Sequence, residues 1–142
     1  MGFFAEPWLR EARDRIKSMP VNTTDTKPGA ADFSKLADAV EKAIKAALVE
    51  NHGSIPRQLD QQNLVWICQR TGVWDVLPPA LRLLVKEVES FRTTGNAASQ
   101  LLSTDSSLEQ LQGYFLVARR LIDYMEFHVI GNDSVLKRLK VI

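Results

Sequence analysis

SSLEQLQGYFLVARRLIDYMEFHV, residues 106–129, has the clearest helical pattern in the chain. Apolar or small residues recur along it in alternating steps of three and four, as one face of a helix requires: Leu108, Leu111, Phe115, Ala118, Ile122, Met125 and Val129. A second row lies beside the first: Tyr114, Val117, Leu121, Tyr124 and His128. At about 100° per residue the two rows cover about 200° of the circumference, more than an ordinary surface helix buries. The pattern therefore predicts that this helix is the central member of a bundle.

Four other segments carry helical signals, and no segment alternates long enough to predict a strand. The predicted helices cover residues 6–18, 32–51, 60–70 and 79–93, and the second of them is rich in alanine. The apolar segment VWDVLPP, residues 73–79, is interpreted as a loop that packs inward. Together these segments predict an all-α fold, an up-and-down bundle of four to five helices.

The chain length fits a single domain over residues 1–142. Residues 20–32 are rich in Thr, Pro, Gly and Asp without apolar periodicity, which predicts a flexible connection. Residues 130–142 are interpreted as a tail or a short extra helix.

Composition excludes several functional classes. The 18 basic and 17 acidic residues balance, so net charge gives no argument for binding nucleic acid or an anionic membrane. The single cysteine, Cys68, excludes an internal disulfide. The sequence has no signal peptide and no transmembrane run, which favours a cytoplasmic protein without a membrane partner.

Metal and cofactor sites are not predicted. The two histidines, His52 and His128, and Cys68 lie in different segments without a recognised ligand spacing. The glycines are dispersed, so the chain has no phosphate-binding loop.

Three segments of the sequence resemble the HEPN domain family in their order and character. AVEKAIKAALVENHGSIPRQLDQQNL, residues 39–64, is similar to the family's second and third helices, and LPPALRLLVKEVESFRTTGN, residues 77–96, to the next helix. LEQLQGYFLVARRLIDYMEFHV, residues 108–129, resembles the closing helix. The resemblance implies one of three roles: a metal-independent ribonuclease, a non-catalytic partner of a small nucleotidyltransferase in toxin–antitoxin pairs, or a nucleotide-binding module.

Catalytic members of that family carry an Arg followed by a His after four to six residues on the closing helix. Here the candidate pair is Arg120 and His128, with seven residues between them. On a regular α-helix these side chains point about 80° apart. The angle, and the place of His128 in an apolar row, favour a structural histidine at the edge of the core. The sequence therefore predicts a non-catalytic module without ribonuclease activity, with a ribonuclease using Arg120 and His128 as the alternative.

Arg92 is the candidate anion-binding residue. It lies within the apolar arc of the fourth predicted helix, and it matches an Arg position of the family. Together with Arg57 or Lys42 it could hold the phosphate of a nucleotide. The alternative is an arginine that extends past the last turn to the helix carbonyls.

The polar side of the closing helix contains two large apolar residues, Leu116 and Phe127. They are eleven positions apart, so on a regular helix they point almost the same way. The pair predicts a homodimer interface, in which Arg120 reaches the partner's Asp123. The alternative is that the C-terminal segment folds back and covers both with Val135, Leu136 and Leu139.

Overall fold

The structure, a computed structural model, describes residues 4–17, 30–53, 55, 63–94 and 107–139. Every regular element in these ranges is helical: α1 Glu6–Lys17, α2 Ala30–His52, α3 Leu64–Thr71, α4 Val73–Val76, α5 Pro79–Thr94, α6 Ser107–Tyr124 and α7 Asp133–Leu136. Between α6 and α7, the chain continues from α6 as a π-helical turn, Met125–Ile130. The predicted all-α fold is confirmed.

Local signals account for the ends of α3. The side-chain oxygen of Asn63 accepts hydrogen bonds from the backbone N–H groups of Val65 at 2.8 Å and Trp66 at 3.3 Å, so Asn63 caps the helix. Gly72 ends it with a φ of 88°, a left-handed conformation that glycine adopts at little cost. α2 begins at Ala30, inside the connection predicted over residues 20–32, and the rest of that connection lies outside the described residues.

α2 shares the centre of the bundle with the closing helix, since α6 and its π turn pack against α1, α2, α5 and α7. α2 packs against α1, α5, α6 and the π turn. All residues from 43 to 49 are buried, including Lys45, which pairs with Glu41 at 3.2 Å. Fully buried alanines along one side of α2 let a neighbouring helix approach closely: Ala39, Ala43, Ala46 and Ala47.

α6 buries a narrower arc than its two apolar rows predict. Phe115, Ala118, Leu121, Ile122, Met125 and Val129 are buried along the helix and the π turn. In the second row Tyr114, Val117 and Tyr124 are only partly buried, and His128 is exposed. The arc was overestimated because the ends of tyrosine and histidine side chains reach solvent.

α1 is joined to α2 by charged contacts as well as by apolar ones. The Nζ atom of Lys42 lies 3.0 Å from Glu11 and 3.7 Å from Asp38, and 5.6 Å from the centre of the Trp8 ring. Arg15 pairs with Asp38 at 2.8 Å. These partly exposed pairs contribute little energy singly, but they fix how α1 lies on α2.

The segment 73–79 packs inward as predicted, although it contains a helical turn instead of a loop. Val73 and Leu77 are buried. The Val76 carbonyl accepts a 2.6 Å hydrogen bond from the Tyr124 hydroxyl, and the Trp74 carbonyl accepts a 2.8 Å bond from Arg82. Tyr124 therefore links α6 to this connection.

The C-terminal part of the described chain returns to the bundle. α7 packs against the π turn, and Leu139 is buried. The side-chain amide of Asn51 donates a 3.2 Å hydrogen bond to the Leu139 carbonyl, which ties this end to α2. Within the described residues, no helix is long and apolar enough to cross a membrane.

Burial controls the chemistry of Cys68, whose side chain is inaccessible to solvent. Burial raises the pKa of the thiol from 9.0 to about 12. We expect a disulfide reagent at pH 8 to leave this thiol unmodified in the native protein. On unfolding, one thiol per chain should react with the reagent. Rapid modification of native protein would contradict the packing of α3.

The same shift predicts a loss of stability in alkali. The folded state keeps the Cys68 thiol protonated, while the thiol of the unfolded chain ionises. The contribution of Cys68 to the free energy of unfolding is therefore complete below about pH 9 and is lost as the pH rises towards 12. The free energy of unfolding should fall there by up to about 1.4 kcal/mol per pH unit. Urea titrations of wild type and Cys68→Ala check this, because the variant should show a shallower dependence.

Candidate interface on the closing helix

The side of α6 that faces away from α2 presents two large apolar side chains to solvent. Leu116 is 53% exposed and Phe127, on the π turn, is 60% exposed. Arg120 and Asp123 lie between them in sequence and are also exposed. Both apolar residues are therefore uncovered in the described chain, which includes Val135, Leu136 and Leu139. We call Leu116, Arg120, Asp123 and Phe127 the α6 face.

Arg120 has no ion pair or hydrogen bond from its side chain within the described residues. Asp123, in contrast, already has a partner. Its Oδ1 atom accepts a 3.1 Å hydrogen bond from Arg13 of α1, and 53% of its side chain stays exposed. Asp123 can therefore accept a second donor from outside the chain, because a carboxylate has four acceptor positions.

Arg13 bridges two carboxylates on the closing helix. Besides Asp123 it binds Glu126, with Nη1 2.9 Å from Oε1. Burial acts to lower the pKa of the Arg13 guanidinium, but the hydrogen bonds to Glu126 and Asp123 outweigh it and raise the pKa. Arg13 thus stays charged under all ordinary conditions, as arginine does.

The π turn changes the relation between Arg120 and His128. A π turn takes up about one residue more than an α turn, because its bonds link residues five apart instead of four. Absorbing one whole residue would reduce the angle between the two side chains from about 80° to about 20°. His128 lies inside the turn, so its direction falls between these limits. The angle of about 80° calculated for a regular α-helix therefore does not apply to His128.

His128 is exposed and does not belong to the core edge, so the structural role predicted for it is wrong. Its ring lies against Tyr124, with ring centroids 5.0 Å apart and planes tilted by 33°. The Tyr124 hydroxyl is held by Val76. Arg120, Tyr124 and His128 follow one another at steps of four and form a row that begins at Arg120 of the α6 face.

The proposed anion-binding residues are not brought together by the described structure. Lys42 lies between α1 and α2, where Glu11 and Asp38 neutralise it and Trp8 covers it. Arg57 and the side chain of Arg92 lie outside the described residues. Lys42 is thus engaged in holding the bundle and is a poor phosphate ligand.

Groups of three or more His, Cys, Asp or Glu side chains able to hold a metal ion are absent from the described residues. The sequence interpretation missed two residues near the α6 face, Arg13 and Gly131. Gly131 follows the last residue of the π turn, and its amide closes the turn. A glycine just after an apolar helical row is a recognisable end signal, whereas nothing in the sequence of α1 points to Arg13.

Comparison with known proteins gives one match. The family model described as HEPN domain matches residues 5–127. Neither a search of curated proteins nor a search of solved structures finds a significant match to the chain. The matched range begins before α1 and extends into the π turn, so it contains the whole α6 face.

Proposed function

We propose that this chain, which belongs to the HEPN domain family, is a non-catalytic interaction module that forms a homodimer through the α6 face. The observation that carries the proposal is the exposure of Leu116 and Phe127 on either side of Arg120 and Asp123. Single exposed apolar residues are common on protein surfaces. Two on one helix, flanking an arginine that has no partner within the described residues, have the composition of an interface centre.

The apolar pair, Leu116 and Phe127, supplies most of the energy of the proposed interface. Burying a large apolar side chain is worth about 1.5–3 kcal/mol relative to leaving it exposed. A two-fold axis through the α6 face brings both side chains of each copy to the interface, so four such groups leave water together. This gain offsets part of the entropy lost on association.

The charged pair supplies orientation. Arg120 of one copy binds the partner subunit's Asp123, whose Oδ2 atom is not used by Arg13. The two-fold axis repeats this contact, so the interface contains two such pairs. Exposed ion pairs add little affinity, but like charges would meet in other registers, and the pairs therefore select this one.

The resemblance to the family extends the proposal to other partners. A small nucleotidyltransferase of a toxin–antitoxin pair would bind the same face or the dimer that it forms. A bound nucleotide would depend on Arg92 and Arg57, since Lys42 is engaged with Glu11 and Asp38. The cytoplasmic location and the absence of a cofactor belong to the same proposal.

The solution mass of the wild type tests self-association. Light scattering over a range of concentrations is expected to give twice the 16.0 kDa mass of one chain, falling to one chain on dilution. A mass of one chain at all concentrations up to the millimolar range would reject the homodimer.

A metal-independent ribonuclease is the second candidate function, and the π turn favours it. The turn brings His128 closer to the direction of Arg120 than a regular helix does, and both side chains are exposed. Because π turns take up one extra residue, the seven residues between Arg120 and His128 act as about six, within the spacing of catalytic family members. A dimer would place two such pairs near one cleft.

RNA cleavage separates the two functions. A non-catalytic module leaves a mixed-sequence RNA intact in the presence of EDTA. A ribonuclease cleaves it with EDTA present and loses this activity, by roughly 100-fold or more, in both Arg120→Ala and His128→Ala. Arg119→Ala and His52→Ala are matched controls, because they remove an exposed residue of the same type elsewhere.

A further inference from the structure

The π turn is closed by a residue without a side chain. The Gly131 amide donates a 2.8 Å hydrogen bond to the Glu126 carbonyl, five residues earlier, which is the bond that defines a π turn. A Cβ atom on Gly131 would lie 2.9 Å from that carbonyl oxygen and 3.2 Å from the Phe127 carbonyl oxygen. Both neighbours are backbone atoms, so alanine cannot fit here unless the turn shifts.

A second constraint comes from α1. Arg13 donates to Asp123 in the last α-helical turn and to Glu126 in the π turn, at 3.1 Å and 2.9 Å. One guanidinium therefore spans the junction at which the helix changes its pitch. Arg13 and Glu126 are largely covered, with 34% and 26% of their side chains exposed. The two bonds fix the spacing of carboxylates on either side of this junction.

We infer that Arg13 and Gly131 are positioning residues, which hold the π turn and thereby set the directions of Phe127 and His128 beside the α6 face. The inference rests on the proposed function, because it gives these directions their role in dimerisation. Gly131 permits the five-residue bond, and Arg13 supplies the contact from another helix that keeps the turn from relaxing to a regular α-helix. Relaxation to a regular helix would turn Phe127 and His128 about the helix axis, by up to the roughly 100° that one residue contributes.

The stacking of His128 on Tyr124 provides a signal that does not depend on dimerisation. Ring contact at 5.0 Å shifts the resonances of the imidazole C–H groups. The chain has two histidines, so a His52→Gln spectrum assigns the two sets of signals. Gly131→Ala is the main variant. Gly113→Ala is its control, because a Cβ on Gly113 of α6 meets nothing within 4 Å.

Arg13→Gln is a second variant, for which Arg10→Gln is the control, since Arg10 pairs only with Glu6 within α1 among the described contacts. Gly131→Ala and Arg13→Gln are each expected to move the His128 signals, to leave the His52 signals in place and to weaken dimerisation by roughly tenfold, or about 1.4 kcal/mol. Arg13→Lys, which can keep one of the two bonds, should recover part of the wild-type spectrum. Neither control should move the His128 signals.

The His128 signals test the positioning role of Arg13 and Gly131 whether or not the protein dimerises. Unchanged His128 signals in both Gly131→Ala and Arg13→Gln would overturn it, whatever the solution mass. A monomeric wild type whose His128 signals move in these variants rejects the homodimer and supports the positioning role. Should Gly131→Ala not fold, Arg13→Gln alone decides, and unchanged signals in it overturn the role of Arg13.

Discussion

Replacing Leu121 with alanine is expected to lower the free energy of unfolding by about 2–5 kcal/mol, and Ile122→Ala should do the same. Leu121 is 0% exposed and Ile122 is 1% exposed, and the helix that carries them packs against α1, α2 and α5. Each replacement removes buried methyl groups and leaves a cavity that three neighbouring helices cannot close. The cost is a large fraction of the stability of an ordinary domain.

Urea unfolding followed by circular dichroism measures these losses. The matched control is Arg119→Ala, at an exposed position of the same helix without a side-chain partner in the described residues, and it should change stability by less than about 0.5 kcal/mol. An equally small change for Leu121→Ala would show that α6 does not pack as the structure has it.

The helices of the described chain could be predicted because their signals are local. Apolar steps of three and four residues located α1, α5 and α6, and Gly72 marked the end of α3. The central place of α2 beside the closing helix was harder to predict. Periodicity shows which side of a helix is apolar, but not how closely its neighbours approach. The alanines of α2 admit a close neighbour along one side, and the buried Lys45 contributes its stem to the packing of this helix.

The direction of His128 could not be predicted, since it depends on a change of helix type. A period of 3.6 residues places His128 among the inner residues, whereas the π turn leaves it exposed beside Tyr124. That turn depends on Arg13, more than one hundred residues earlier in the chain, and on the bond made by Gly131. The periodicity of the sequence gives no information about either contact.

Leu116 and Phe127 were easier to place, because the regular-helix pattern puts both on the polar side and both are exposed in the structure. Changing both to glutamate is expected to convert the proposed dimer to a monomer. Four carboxylates would meet at the two-fold axis, where burying a charge without a partner costs several kcal/mol. Glutamate favours helix, and both positions are exposed in one chain, so the monomer should fold normally.

Light scattering on Leu116→Glu/Phe127→Glu beside the wild type tests this claim most directly, with Leu83→Glu as the control. Leu83 is 56% exposed on α5, so its replacement adds one of the same charges outside the α6 face. We expect a wild-type dimer, a Leu83→Glu dimer and a monomeric double variant with wild-type helicity. A double variant that stays dimeric, or a wild type that is already monomeric, would contradict the interface.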